Sequence, residues 1–216
     1  MMVKKVMIYL SLVIVVCFIL FLLFAPAVVE KSLNVISGSY EYDQVSDQAK
    51  LLHERLIVAD LHADSLLFNR NLLKEESYGH VDVPRLIKGN VALQVFTVVT
   101  KVPMGKNIDH TDAQALDQIT FLAMLQQWPV STWFSLKERA LYQASKLHDF
   151  AQRSNGLLTV IRTRADLEQY LAERENNTSM TSGILGLEGA HALEGEISNV
   201  EVLFEYGYRI MLQPFP

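Results

Sequence analysis

The chain has 216 residues, 50% of them hydrophobic and 20% charged, with a net charge of −5. An apolar share this large excludes a disordered chain, and the length suits one ordinary domain. The acidic balance excludes sequence-independent nucleic-acid binding, and the single cysteine, Cys17, excludes a disulfide framework, a Cys-rich zinc site and a CxxC redox pair. Any metal has to be held by His, Asp and Glu.

Lys4 and Lys5 precede an apolar run over residues 6–24, broken only by Ser11. The run is about 19 residues, close to what crosses a bilayer as a helix and longer than a signal-peptide core. It reads as one transmembrane helix, an anchor within residues 1–29. Ala25-Pro26-Ala27 also spells a small-x-small cleavage site, so a removed signal is the alternative. Lys4 and Lys5 favour a cytoplasmic N-terminus. The expectation is a single-pass membrane protein with its body on the periplasmic or extracellular side. Cys17 lies inside the run and reads as apolar filler.

Residues 30–50 are polar with little periodicity and read as a linker to a body at 51–216. A first helix is expected near 43–55, then a short strand at 56–62 and a surface loop at 69–83. Residues 91–100 are β-branched and mostly apolar, which predicts a buried strand. Thr111-Asp112 is placed to cap a helix running to 128, and a second helix is expected at 134–154. A strand at 157–161, a helix at 163–174, a polar loop at 175–182 and a strand at 184–187 follow. A helix at 198–206, closed by Gly207, leads into a last strand. The asparagines of Asn176-Asn177-Thr178-Ser179 spell two glycosylation acceptors, read here as a polar loop. Alternating strands and helices, with strands apolar throughout, predict a parallel sheet covered by helices. The fold class is α/β, with about five βα units where a complete (β/α)8 barrel takes eight strands. The expectation is the N-terminal portion of a TIM-type barrel, or a smaller open sheet.

Three places offer chemistry. His62 and Asp64, in Asp60-Leu61-His62-Ala63-Asp64, are two apart at a strand's end and so face one side, where each offers a metal ligand. His110-Thr111-Asp112 has the same spelling but opens a helix from a Gly/Asn/Asp loop, which makes it a useful negative control. Glu188, in Gly186-Leu187-Glu188-Gly189-Ala190-His191, follows a second apolar strand, and its carboxylate could bridge two metals. His191 is left as a supporting or structural residue. Arg209 could orient an anion, but a structural ion pair is the plainer reading. P-loop, GxSxG and GxGxxG motifs are all missing.

Together these residues resemble the membrane (renal-type) dipeptidase family, the M19 metallopeptidases. The pieces are Asp60-x-His62-x-Asp64, Val81-Asp82-Val83-Pro84-Arg85, then Gly89 with Gln94, Glu188-Gly189-Ala190-His191, and Gly207-Tyr208-Arg209. Each is weak alone, and all five stand in family order. The resemblance implies a (β/α)8 barrel with two zinc ions, His62 and Asp64 on one metal and Glu188 bridging both as a catalytic carboxylate. It implies hydrolysis of dipeptides by a metal-activated water. After Gly207-Tyr208-Arg209 the family usually reads on to Leu-Thr-His, but here Leu212 is followed by Gln213-Pro214. The family's later histidines, substrate arginine and acid/base aspartate have no counterpart, which points to a frameshift or premature stop. The sequence therefore predicts a partial zinc site, poor activity and self-association through open sheet edges. Two other readings stand beside this one: a non-catalytic half-barrel that binds a partner, and another metal-dependent barrel hydrolase such as an amidase or lactonase. His-x-His at the first strand would favour that last type, whereas His62-x-Asp64 leans to the dipeptidase.

Overall fold

The computed structural model describes residues 2–36, 45–112 and 114–212. Its first element is helix α1 (Met2–Leu33), which runs through Pro26 without ending there. It is long and apolar enough to cross a membrane, and its apolar window is not buried by the rest of the chain. The helix runs on to Leu33, into the stretch read as a polar linker, and Glu30 within it is buried. Residues 37–44, which include the start of the expected first helix, lie outside the described residues. Helix α2 (Asp47–Arg55) begins where the Ser46 hydroxyl accepts the Ala49 amide at 3.2 Å, an ordinary N-cap.

Strand β1 (Val58–Ala63), helix α3 (Val83–Lys88) and strand β2 (Val91–Val99) make the first crossover. Helices α4 (Gln118–Leu125), α5 (Ser131–Phe134) and α6 (Leu136–Arg153) follow. Strand β3 (Leu158–Val160), helix α7 (Arg164–Arg174), strand β4 (Thr181–Glu188), helix α8 (Asn199–Glu205) and strand β5 (Tyr208–Leu212) complete the order. Every strand pairing is parallel: β1 with β2, β2 with β4, and β4 with both β3 and β5. The architecture is thus α/β with a parallel sheet, as the alternation of elements predicts.

The five strands are not five equal units. β3 and β5 share one edge of β4, with β3 beside Thr181–Gly183 and β5 beside residues 185–188. β3 stays short because α7 starts almost at once. Thr163 accepts the Asp166 amide, and Asp166 accepts the Thr163 amide in return, a complete capping box. The continuous run is β1-β2-β4-β5. β2 and β4 fit closely: a Cβ on Gly183 would meet the Phe96 ring at 2.9 Å, and one on Gly186 would meet Val95 at 3.0 Å.

The core lies between this sheet and α6. Ala140, Ala144, Leu147 and Phe150 recur along one helix face and pack with Phe96, Val98, Leu185 and Leu187. The expected cap at Thr111-Asp112 is corrected: Asp117 caps α4, accepting the amides of Ile119 and Thr120 at 3.1 and 3.2 Å. Asp117 is fixed there because it also accepts the Val102 amide and pairs with Arg139. The loop expected at 69–83 is present, but it is tied inward. Arg70, Leu72 and Asp82 are buried, and Arg70 pairs with Glu30 of α1 at 3.0 Å and with Asp82 at 3.4 Å.

Candidate metal centre

The site forms where parallel strands end. Between Asp60 and Ala63, β1 carries one residue more than the facing stretch of β2, Gln94 to Phe96. That bulge breaks the simple alternation of the strand. Asp60 accepts the His62 amide at 3.0 Å and holds the bulged backbone. Asp64 is already past the strand and opens a short 3-10 turn, Ser65–Leu67. His62 and Asp64 therefore converge as expected, through a bulge and a turn rather than through strand alternation alone.

Glu188 closes β4, on the rung it shares with Val99 of β2 and Leu212 of β5. His62 Nε2 lies 3.4 Å from Asp64 Oδ1 and 3.5 Å from Glu188 Oε2. One ligand atom from each of the three residues falls within 4.8 Å of the others. All three side chains are partly exposed, so the cluster opens to solvent. Thr97, on the strand between, donates its hydroxyl to Asp64 Oδ1. That bond leaves the other Asp64 oxygen and its remaining lone pairs for a further partner.

These spacings suit a cation. Nitrogen–oxygen separations of 3.4–3.5 Å exceed the usual hydrogen-bond range. Ligand atoms at about 2.1 Å around a tetrahedral zinc stand ~3.4 Å from one another. One imidazole and two carboxylates also carry the negative charge that a divalent cation offsets. Beside the cluster lies a cleft of about 460 Å³. Asp60, His62 and Asp64 form one wall, and Glu30 and Leu33 of α1, with Asn34 just after it, form another.

His191 is not brought into the cluster. It starts the 3-10 turn His191–Leu193, and its Nδ1 is buried without a hydrogen-bond partner. Burial pushes its pKa down, and Lys101 and Lys106 add to the effect. Among the described residues Arg209 has no acidic partner, so the structural ion pair expected for it is not found there. It donates to the Arg162, Phe204 and Tyr208 carbonyls and stacks 3.8 Å over the Phe204 ring, so its role is to tie β5 to its neighbours. The control motif behaves as a loop: His110 and Asp112 are exposed, and Asp112 accepts the Gln114 amide. Sequence reasoning missed Thr97 and the α1 wall. A hydroxyl residue inside an otherwise apolar strand was the available signal for Thr97. The α1 wall had none.

The model of one family, described as membrane dipeptidase (peptidase family M19), matches residues 46–212. No curated protein matches. Among solved structures, dipeptidase AC, described as a metallopeptidase of family M19, is 22% identical with a TM-score of 0.48; the match covers 72% of this chain and 42% of that one. The probable dipeptidase PvdM from Pseudomonas aeruginosa is 12% identical with a TM-score of 0.51, covering 78% of this chain and 37% of that one. The chain thus spans less than half the length of either structure, and the likeness to PvdM concerns the fold alone.

Proposed function

This chain belongs to the membrane dipeptidase family, peptidase family M19, and we propose that it serves metal-dependent hydrolysis of dipeptides. In this reading His62, Asp64 and Glu188 are metal ligands, and Glu188 is the catalytic carboxylate. Zinc is the metal proposed, since an imidazole with two carboxylates is a donor set that zinc accepts. Such an ion supplies Lewis acidity and a water made nucleophilic at neutral pH. The observation that carries the reading is the convergence of the three side chains from two separate strands.

The chain's own groups have definite tasks. Thr97 donates to Asp64 Oδ1, the same oxygen that lies 3.4 Å from His62 Nε2, and so fixes that carboxylate at the cluster. Asp60 holds the His62 backbone and so the height of the imidazole above the sheet. Glu188 brings its carboxylate from β4 to the His62 ring. The adjoining cleft has room for a small substrate next to these groups. With three ligands in place, the reading is a partial version of the two-metal centre that the family resemblance implies.

We further propose residues 1–29 as a single-pass anchor, 30–50 as the connection and 51–216 as the dipeptidase-like body, held on the periplasmic or extracellular side. Lys4 and Lys5 at the start of α1 support that orientation. The outer edge of β1 is unpaired among the described residues, and self-association through it is part of the same proposal.

The test is zinc content after equilibrium dialysis of the full chain in detergent, for the wild type, Asp64→Asn and Glu188→Gln. Wild-type chain is expected to retain zinc, and each variant to lose most of it. Equal zinc in all three would refute the ligand assignment.

A further inference from the structure

Residues 118–135 contain no Asp, Glu, Lys or Arg, although they form an external corner of the fold. They comprise α4, α5 and the turn between them. Phe121, Val130 and Phe134 on this corner are exposed, at 51%, 65% and 79%. An uncharged patch of this kind facing water is unfavourable and marks a surface that something covers.

The corner sits against α1. Gln127 donates to the Leu22 carbonyl at 3.4 Å, and an apolar groove is lined from one side by Phe18 and Leu22 and from the other by Phe121, Val130 and Trp133. Phe18 and Leu22 belong to the apolar run over residues 6–24. That run of 19 residues is about 28 Å long as a helix, against a hydrocarbon core of ~30 Å. If the run left the bilayer from Phe18 onward, the 12 residues over 6–17 would span only about 18 Å. The helix therefore needs its last turns in lipid, and the corner packed against them lies at the same depth.

We infer that the α4–α5 corner is a lipid-binding surface, seated in the interface of the bilayer that α1 crosses. The inference rests on α1 being a membrane anchor. Three things on the corner suit this occupant: no charge to desolvate, two phenylalanines and a valine facing outward, and Trp133 with its indole N–H bonded to the Trp128 carbonyl at 3.0 Å. Tryptophan and tyrosine gather at that depth in membrane proteins. The corner is also rigid. Arg139 of α6 donates to the Thr132 and Trp133 carbonyls of α5, the Thr120 hydroxyl of α4 and the Thr100 carbonyl after β2. The body is thereby held at one tilt relative to the membrane, with both contacts, α1 and the corner, on the same side.

The test uses nitroxide labels on the full chain reconstituted in phosphatidylcholine–phosphatidylglycerol vesicles. Native Cys17 is labelled in one sample. In a Cys17→Ser background, Val130→Cys, Phe134→Cys and Thr178→Cys are labelled in turn. The last sits in an exposed polar loop. Relaxation by oxygen reports lipid and relaxation by a water-soluble nickel chelate reports solvent. The expected result is an oxygen-to-nickel ratio at 130 and 134 several-fold above that at 178 and below that at Cys17, which lies deeper in the bilayer. A lipid signal at Cys17 with a solvent signal at 130 and 134 overturns this inference and leaves the anchor standing. A solvent signal at Cys17 itself overturns both. Exclusion of both reagents at 130 and 134 places a second copy of the chain on the corner, and overturns the lipid assignment.

Discussion

Thr97 reaches Asp64 from the neighbouring strand, and its hydroxyl donates to that carboxylate and restrains its rotation. Replacing it with valine keeps shape and β-propensity but removes the donor. Supporting hydrogen bonds to metal ligands commonly contribute 10- to 100-fold in metal affinity. Thr97→Val is therefore expected to weaken zinc binding by about tenfold while leaving the melting temperature nearly unchanged. Titration against a chromophoric chelator, beside a thermal scan, reads both quantities, and unchanged affinity would remove Thr97 from the site. At this scale the sequence was legible for the three side chains that cluster and not for the group that supports them. His62, Asp64 and Glu188 could be named because each follows an apolar strand. The Thr97 contact depends on which strand lies between β1 and β4, and that is a matter of long-range pairing that local pattern does not encode.

At the scale of elements, α6 does more than cover the sheet. Its Arg139 is buried, pairs with Asp117 and serves the carbonyls of Thr132 and Trp133 on α5 and of Thr100 after β2. Arg139→Met leaves Asp117 and those carbonyls without their donor, and removing one partner of a buried pair costs about 3–5 kcal/mol. Denaturant unfolding is the measurement, and a loss below ~1 kcal/mol would show that water takes over the arginine's contacts. About two turns further on, Lys146 donates to the Leu66 and Phe68 carbonyls and so holds the turn that begins at Asp64. Burial pushes its pKa from 10.5 down to about 7, opposed by the nearby Glu30. Below about 7 both folded and unfolded chains carry the proton, and the cost of burying the charge is fully present. Between that value and 10.5 the unfolded chain holds more protons, so stability rises with pH. The denaturation midpoint is expected to climb between pH 7 and about pH 9, and to climb less in Lys146→Met. Parallel slopes in the two proteins would contradict this. The sequence disclosed a helix over 134–154 but not the arginine on its buried side, whose partners on α4 and α5 were out of reach of any local window.

For the molecule as a whole, the alternation of elements was enough to give an α/β chain with a parallel sheet. The actual order of that sheet was less accessible. β3 reads like its neighbours in sequence, yet it occupies only the start of one β4 edge, because the α7 capping box ends it. The contact of α1 with the body was not legible either: an apolar run of membrane length carries no sign that Glu30 at its end pairs with Arg70, or that it walls a cleft. Among the described residues β1 pairs on one side only, and an open parallel edge favours association. Light scattering in detergent is expected to give a mass above one chain that falls on dilution. A concentration-independent monomer would argue that the edge is protected.

The bulge in β1 has a last consequence, which concerns counting rather than chemistry. Leu61 is 69% exposed, so its side chain adds little to the core. Its substitution by serine or alanine would change nothing that β1 depends on. Its deletion would remove the extra residue between Asp60 and Ala63, and every later residue of the strand would then exchange faces. His62 would turn away from Glu188 although both residues were intact. At position 61 the site is thus tolerant of spelling and intolerant of length, and a survey of variants should find substitutions there but neither insertions nor deletions.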